Sequence, residues 1–145
     1  MSKPVLLIFL AEDNPGDVDL LEEALREHNI PHKLLLAKDG TEAKKFIDHM
    51  GQNPDAPCPD FILLDLNLPN ASGFEIFARF RDHPLCVETP VIVVTSSDAP
   101  KDRERATQLG AARYFRKPSD FEDYLRLGAL LREVAHEKGL AHRLP

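Results

Sequence analysis

Val5–Pro15 reads VLLIFLAEDNP, an apolar run that ends in two acids and a helix start. Val5–Leu10 is continuously apolar and does not alternate, which is the mark of a strand buried on both faces. Asn14 then serves as N-cap with Pro15 at the first helical position. Val18, Leu21, Leu25 and His28 follow at helical spacing, and Asn29-Ile30-Pro31 stops the helix. A buried strand that runs through a polar turn into a helix is one βα unit.

The same unit recurs along the chain. Lys33–Ala37 is a second strand, and Asp39-Gly40-Thr41-Glu42 resembles a capping box that opens a helix with Ala43, Ile47 and Met50 on one face. Gly51–Pro59 holds three prolines and reads as a loop. Phe61–Leu66 is a third apolar run with one acid inside it, Asp65. Gly73–Asp82 places Phe74, Phe77 and Phe80 at helical spacing, and a loop with Pro84 and Pro90 follows. Val91–Val94 is a fourth buried strand. Asp98 and Pro100 open the next helix, and Gly110 closes it. Arg113–Phe115 is a short fifth strand, and Ser119 or Asp120 caps a last helix that runs to about Lys138. Five such units in 145 residues predict an α/β fold, a doubly wound five-stranded parallel sheet in the flavodoxin-like order 2-1-3-4-5, with helices on both faces.

Composition narrows the function. The chain carries 24 Asp+Glu against 18 Lys+Arg, a net charge of −6. That balance gives no general attraction to nucleic-acid phosphates or anionic lipid, and no basic patch longer than two cations is present. The longest apolar stretch, Val5–Ala11, is far shorter than the roughly 20 residues of a membrane span. It follows only Lys3 and lacks a cleavage-site pattern, so no signal peptide is expected. The two cysteines, Cys58 and Cys86, are read as free thiols in a reducing cytoplasm, because two thiols in a chain with an adequate core make no disulfide framework. The six histidines show no zinc-like spacing with them.

In an open parallel sheet, ligands bind outside the carboxyl ends of the strands. Those ends carry Glu12 and Asp13 after strand one, Asp65 in strand three, Thr95 after strand four and Lys117 after strand five. Taken singly, Glu12 and Asp13 could simply favour a helix N-terminus, Thr95 could be a strand-end hydroxyl, and Lys117 a solvated charge. Asp65 resists such a reading, since an unpaired acid inside a buried run costs several kcal/mol. Together, three converging carboxylates call for a hard cation. An oxygen-only ligand set favours Mg²⁺, with Mn²⁺ as a substitute. A carboxylate, a divalent cation, a hydroxyl and a lysine suit phosphoryl transfer, with Asp65 as acceptor.

These residues in this order resemble the receiver domain of two-component response regulators. The resemblance rests on Glu12-Asp13-Asn14, Asp65 within Leu63–Pro69, Gly73, Thr95 within Val93–Ser97, and Lys117-Pro118 after Gly110-Ala111, and it runs from about Val5 to Ala135. It implies Asp65 as phosphoacceptor, with a cation at Asp13, Asp65, the backbone carbonyl of Asn67 and, directly or through water, Glu12. It also implies phosphoryl-oxygen binding by Thr95 and Lys117, Tyr114 as an aromatic switch partnered with Thr95, and tuning of phosphate lifetime by Asn67 and Ser97. The Lys117-Pro118 bond is expected to be cis. Activity is limited to self-catalysed phosphotransfer and autodephosphorylation. More narrowly, Glu12–Asp17, Leu25–His32, Asp65–Pro69 and the extended loop His83–Pro90 look like single-domain regulators paired with phytochrome-type histidine kinases. The implied partner is such a kinase.

Residues 1–138 are therefore expected to form the receiver domain, with 139–145 a short tail and no output domain. A Mg²⁺-dependent aspartyl-phosphate phosphohydrolase is disfavoured, because the position two after Asp65 is Asn67, which does no acid–base work. A flavodoxin-like electron carrier is disfavoured by Glu12 and Asp13, which would repel a flavin phosphate. A receiver-like binding module that no longer phosphorylates is the remaining alternative. On the last helix, Phe121, Leu125, Gly128 and Ala135 are expected to face the sheet. Leu127, Leu130, Leu131 and Val134 then lie off to one side, either under a neighbouring helix or as the seam of a homodimer.

Overall fold

The computed structural model describes residues 5–52 and 56–145. Residues 53–55 of the proline-containing loop, and residues 1–4 with Lys3, lie outside that description. The strands are β1 (Leu6–Ala11), β2 (His32–Ala37), β3 (Phe61–Leu64), β4 (Val91–Thr95) and β5 (Arg113–Arg116). They form one parallel sheet in the order β2-β1-β3-β4-β5. The helices are α1 (Pro15–Glu27), α2 (Gly40–His49), α3 (Gly73–Asp82), α4 (Pro100–Gln108), α5 (Phe121–Tyr124) and α6 (Arg126–Glu137). None of the described helices is long and apolar enough to cross a membrane.

Because side chains alternate along a strand, each central strand feeds two cores. Phe9, Ile62, Leu64, Val91 and Val93 pack on one face with Ile47 of α2, Phe77 and Phe80 of α3 and Ala106 of α4. Ile8, Leu10, Phe61, Leu63, Ile92 and Val94 pack on the other with Leu21 and Leu25 of α1 and Leu127, Leu131 and Val134 of α6. Burial on both faces is why these strands read as unbroken apolar runs. Each such side chain contributes about 1.5–3 kcal/mol through burial.

Helix starts follow the local chemistry, with two adjustments. Asn14 Oδ1 accepts from the Gly16 and Asp17 amides at 2.8 and 3.2 Å, as expected of an N-cap. Asp39 Oδ1 accepts from Glu42 N at 2.8 Å, but the Glu42 carboxylate reaches Lys38 N, one residue earlier than a reciprocal box requires. At α4 the N-cap is Ala99, without a side-chain bond. Asp98 instead pairs with Arg103 and Arg116 at 3.2 and 3.4 Å.

The C-terminal segment departs further. Asp120 caps only the single turn of α5, and Leu125 separates it from α6. The core stripe is Tyr124, Leu127, Gly128, Leu131, Val134 and Ala135, all buried, while Phe121 is 51% exposed. Leu127, Leu131 and Val134 therefore belong to the core beneath α1, the first of the two alternatives, and are not exposed to serve as a homodimer seam. Leu130 is half-buried against the same cluster. The close crossing depends on Gly128, where a Cβ would stand 2.5 Å from the Ala24 carbonyl oxygen.

Two expectations are overturned. Cys58 and Cys86 are joined in a disulfide, with Cα atoms 5.8 Å apart. The segments leading into neighbouring strands β3 and β4 run side by side, and the 3₁₀ turn Pro84–Cys86 delivers Cys86 to Cys58. The inference from free thiols to a reducing compartment falls with it. The Lys117-Pro118 bond is trans, since no cis peptide is present among the described residues.

Candidate phosphoacceptor site

The carboxyl ends of β1, β3, β4 and β5 open on one edge of the sheet, and the polar side chains cluster there. β1 ends at Ala11, so Glu12 and Asp13 stand just past it; Glu12 is buried and Asp13 exposed. β3 ends at Leu64, which leaves Asp65 as the first residue of the following loop, buried at 5% exposure. Gly73 holds that loop down, its amide donating to Leu66 O at 3.0 Å. A Cβ at Gly73 would lie 2.3 Å from the Asp65 carbonyl oxygen, so the helix can approach the loop this closely only with glycine there.

Carboxylate oxygens of Glu12, Asp13 and Asp65 lie within 4.8 Å of one another. Three oxygen donors at that separation, with no nitrogen or sulfur among them, fit a hard divalent cation. Asp65 Oδ1 accepts from the Asn67 amide at 3.0 Å, and Oδ2 from Lys117 Nζ at 2.7 Å. Lys117 is placed by β5, its amide donating to Thr95 O at 2.7 Å. Its ammonium also reaches Glu12 Oε1 at 2.6 Å and Asp17 Oδ2 at 2.7 Å.

Burial and charge act in opposite directions here. Burial raises the Glu12 carboxyl to about 7, against the hydrogen bond and charge of Lys117, while the nearby Asp65 adds to the rise. Burial alone would lower Lys117, but its hydrogen bonds to Asp17, Asp65 and Glu12 outweigh it and raise the ammonium above its usual range. The lysine stays charged, and the pocket keeps an excess of negative charge that a divalent cation would relieve.

Thr95 is fully buried at the end of β4, and its Oγ1 accepts from the Ser97 amide at 3.4 Å. Among the described residues no hydrogen bond joins Thr95 to Asp65. Tyr114 on β5 is half-buried; its hydroxyl donates to Ser97 O at 2.8 Å, and the Arg103 guanidinium sits 4.4 Å from its ring centroid. Ser97 Oγ donates to Asp102. Glu12, Asp13, Asp65 and Lys117 are thus gathered in one pocket. Thr95, Ser97 and Tyr114 form a second group linked through the β4–α4 loop, and Asn67 presents an exposed side chain at the rim.

The strand-end residues legible in the sequence do not include Asp17. It heads the stripe Asp17, Leu21, Leu25, His28 on the inward side of α1. A carboxylate at the start of an apolar stripe is the signal that marks it, although its partner lies 100 residues away.

A parallel sheet with this order, carrying an acid pocket around a buried aspartate and a lysine, is shared with the receiver domains of response regulators. The response regulator receiver domain model matches residues 8–127, and the chain belongs to that family, a component of two-component signalling. Within it the likeness is to phytochrome response regulators. Response regulator Rcp1 of Synechocystis sp. is 33% identical over 126 residues, covering 87% of this chain and 86% of that protein. The crystal structure of the phosphorylated cyanobacterial phytochrome response regulator RcpA superimposes with a TM-score of 0.81 at 31% identity, covering 93% of this chain and 96% of that one. The Mn²⁺-bound form of Rcp1 superimposes with a TM-score of 0.77 at 31% identity, covering 88% and 92%.

Proposed function

We propose that this chain accepts a phosphoryl group onto Asp65 from a phosphohistidine of a sensor histidine kinase of the phytochrome-associated kind. The observation that carries the reading is Asp65 itself, a buried carboxylate with one oxygen on the Lys117 ammonium and both neighbouring acids within reach of a shared cation. The likeness to Rcp1 and RcpA supports the partner class.

In the transfer, a carboxylate oxygen of Asp65 forms the new P–O bond while the P–N bond to the donor imidazole breaks. The bonding pair stays on that nitrogen, which takes up a proton. Glu12, Asp13, Asp65 and the backbone carbonyl of Asn67 would hold Mg²⁺, or Mn²⁺ in its place, which offsets charge on the transferring oxygens. Lys117 supplies a second positive charge beside Asp65. Thr95 donates its hydroxyl to a phosphoryl oxygen, and the Ser97-linked contact of Tyr114 then breaks so that the ring turns inward. The surface around α4, β5 and α6 changes with it, and the output is an altered protein–protein contact. Asn67 and Ser97 flank the phosphoryl group and govern how readily water reaches it, so that hydrolysis to phosphate regenerates Asp65.

Incubation with acetyl phosphate and Mg²⁺, followed by intact mass, tests the reading. Wild type gains a single phosphoryl group and Asp65→Asn gains none. Absence of an adduct with acetyl phosphate and with a phosphorylated histidine kinase would overturn it, in favour of a binding module that does not phosphorylate.

A further inference from the structure

An ammonium has three N–H donors and no acceptor. Those of Lys117 are all committed, to Glu12 Oε1, Asp65 Oδ2 and Asp17 Oδ2 at 2.6–2.7 Å. Two of these acceptors belong to the acid cluster that fits a divalent cation, and the third does not. Asp17 lies in the first turn of α1, outside that cluster. Its backbone is fixed by the Asn14 cap. Its side chain is only 22% exposed, so the contact with Lys117 is not a loose surface pair.

We infer that Asp17 is a positioning residue of the phosphoacceptor site, holding the Lys117 ammonium beside Asp65 once Glu12 and Asp65 turn toward the cation. The inference rests on the function proposed above. Cation and ammonium compete for the same two carboxylates, Glu12 and Asp65, and their charges repel. An ammonium held by Glu12 and Asp65 alone would have to be expelled for the cation to enter, taking with it the positive charge that the incoming phosphoryl oxygens need. Asp17 gives the ammonium one carboxylate that the cation does not claim. Lys117 can then yield Glu12, stay tethered, and meet the phosphoryl group from the α1 side.

Calorimetric titration with Mg²⁺ and with Mn²⁺, without phosphodonor, tests this on wild type, Asp17→Asn, Asp17→Glu and Asp19→Asn. Asp19→Asn makes the same charge change on the same helix at an exposed position that does not touch Lys117. Loss of one charge-assisted hydrogen bond should raise the dissociation constant of Asp17→Asn about tenfold. Asp19→Asn should stay near wild type, and Asp17→Glu should recover part of the loss. The Lys117 ammonium resonance should persist at cation saturation in wild type and be lost to solvent exchange in Asp17→Asn. Equal affinities for Asp17→Asn and wild type, an equal loss in Asp19→Asn, or an ammonium signal that survives in Asp17→Asn would each overturn the inference. Those results would leave intact a wild type that still takes up a phosphoryl group. A wild type that binds no cation and takes no phosphoryl group would instead sink the proposed function, and this inference with it.

Discussion

At the carboxyl ends of the strands, Glu12, Asp13, Asp17 and Asp65 share a pocket with one ammonium. At the opposite end of the same sheet, nothing comparable is left unbalanced among the described residues. The Arg81 guanidinium donates to the carbonyls of Cys86, Thr89 and Gly110 at 2.8–3.3 Å and lies 5.3 Å from the Phe77 ring centroid. Asp60 Oδ2 accepts from Leu7 N at 2.8 Å and pairs with Arg143. The Cys58–Cys86 disulfide ties the segments that lead into β3 and β4. One end is tied by a covalent bond and by hydrogen bonds to backbone carbonyls, while the other holds charge in excess. A sheet anchored at one end can tolerate electrostatic strain at the other, and that is where a cation and a phosphoryl group would find their driving force.

Removing the ammonium should give the largest effect. Lys117→Met leaves four carboxylates without a counter-charge, so uptake of phosphoryl from acetyl phosphate should fall on the order of 100-fold. Without cation the fold should lose roughly 3 kcal/mol, as when a buried ion pair is broken from one side. Denaturant unfolding with and without Mg²⁺ checks this, with added Mg²⁺ recovering part of the loss. An unchanged phosphorylation rate would remove Lys117 from the chemistry.

The anchored end should respond in stability alone. The two cysteines lie 28 residues apart in sequence, and a crosslink over such a loop contributes about 3–4 kcal/mol in the chain-entropy account. Cys58→Ser with Cys86→Ser should lower unfolding stability by about that much and leave cation affinity unchanged. If cation affinity fell as well, the two ends would be coupled and the contrast between them would fail.

The smallest effect is a pH slope. Glu12 is raised from 4.5 to about 7, so the folded protein holds a proton that the unfolded chain has released between those values. The stabilising contribution of protonated Glu12 is complete below about 4.5 and is lost as pH rises through about 7. In the absence of cation, unfolding stability should therefore decline over that window, by at most about 1.4 kcal/mol per pH unit from this group. Saturating Mg²⁺ favours ionised Glu12 and should flatten the decline. Unfolding curves at several pH values with Glu12→Gln as reference measure the slope, and an identical slope in that variant would assign it to other groups.

The run Phe61–Leu64 leading into Asp65 marked a buried acid, because a parallel strand covered on both faces carries its own pattern. Asn14-Pro15 marked the start of α1, since a cap bonds its own neighbours. Asp17 carries no such mark, because its partner is Lys117 and no local rule joins residues a hundred positions apart. Leu127, Leu131 and Val134 lie beside the sheet-facing stripe in sequence, and periodicity cannot choose between cover by a neighbouring helix and a homodimer seam; the packing of Leu21 and Leu25 of α1 against them makes that choice. Composition points to free thiols at Cys58 and Cys86, whereas their bond depends on two loops converging.

By itself, then, the sequence determined the order of strands and helices, the buried aspartate and the strand ends that carry Glu12, Asp13, Thr95 and Lys117. Periodicity and capping act within a few residues and are written locally. Only the tertiary structure decided which carboxylates meet the Lys117 ammonium, which face of α6 lies under α1, and that the opposite end is closed by a disulfide. Those contacts join distant segments, and they are set by how the two layers of helices pack on the sheet.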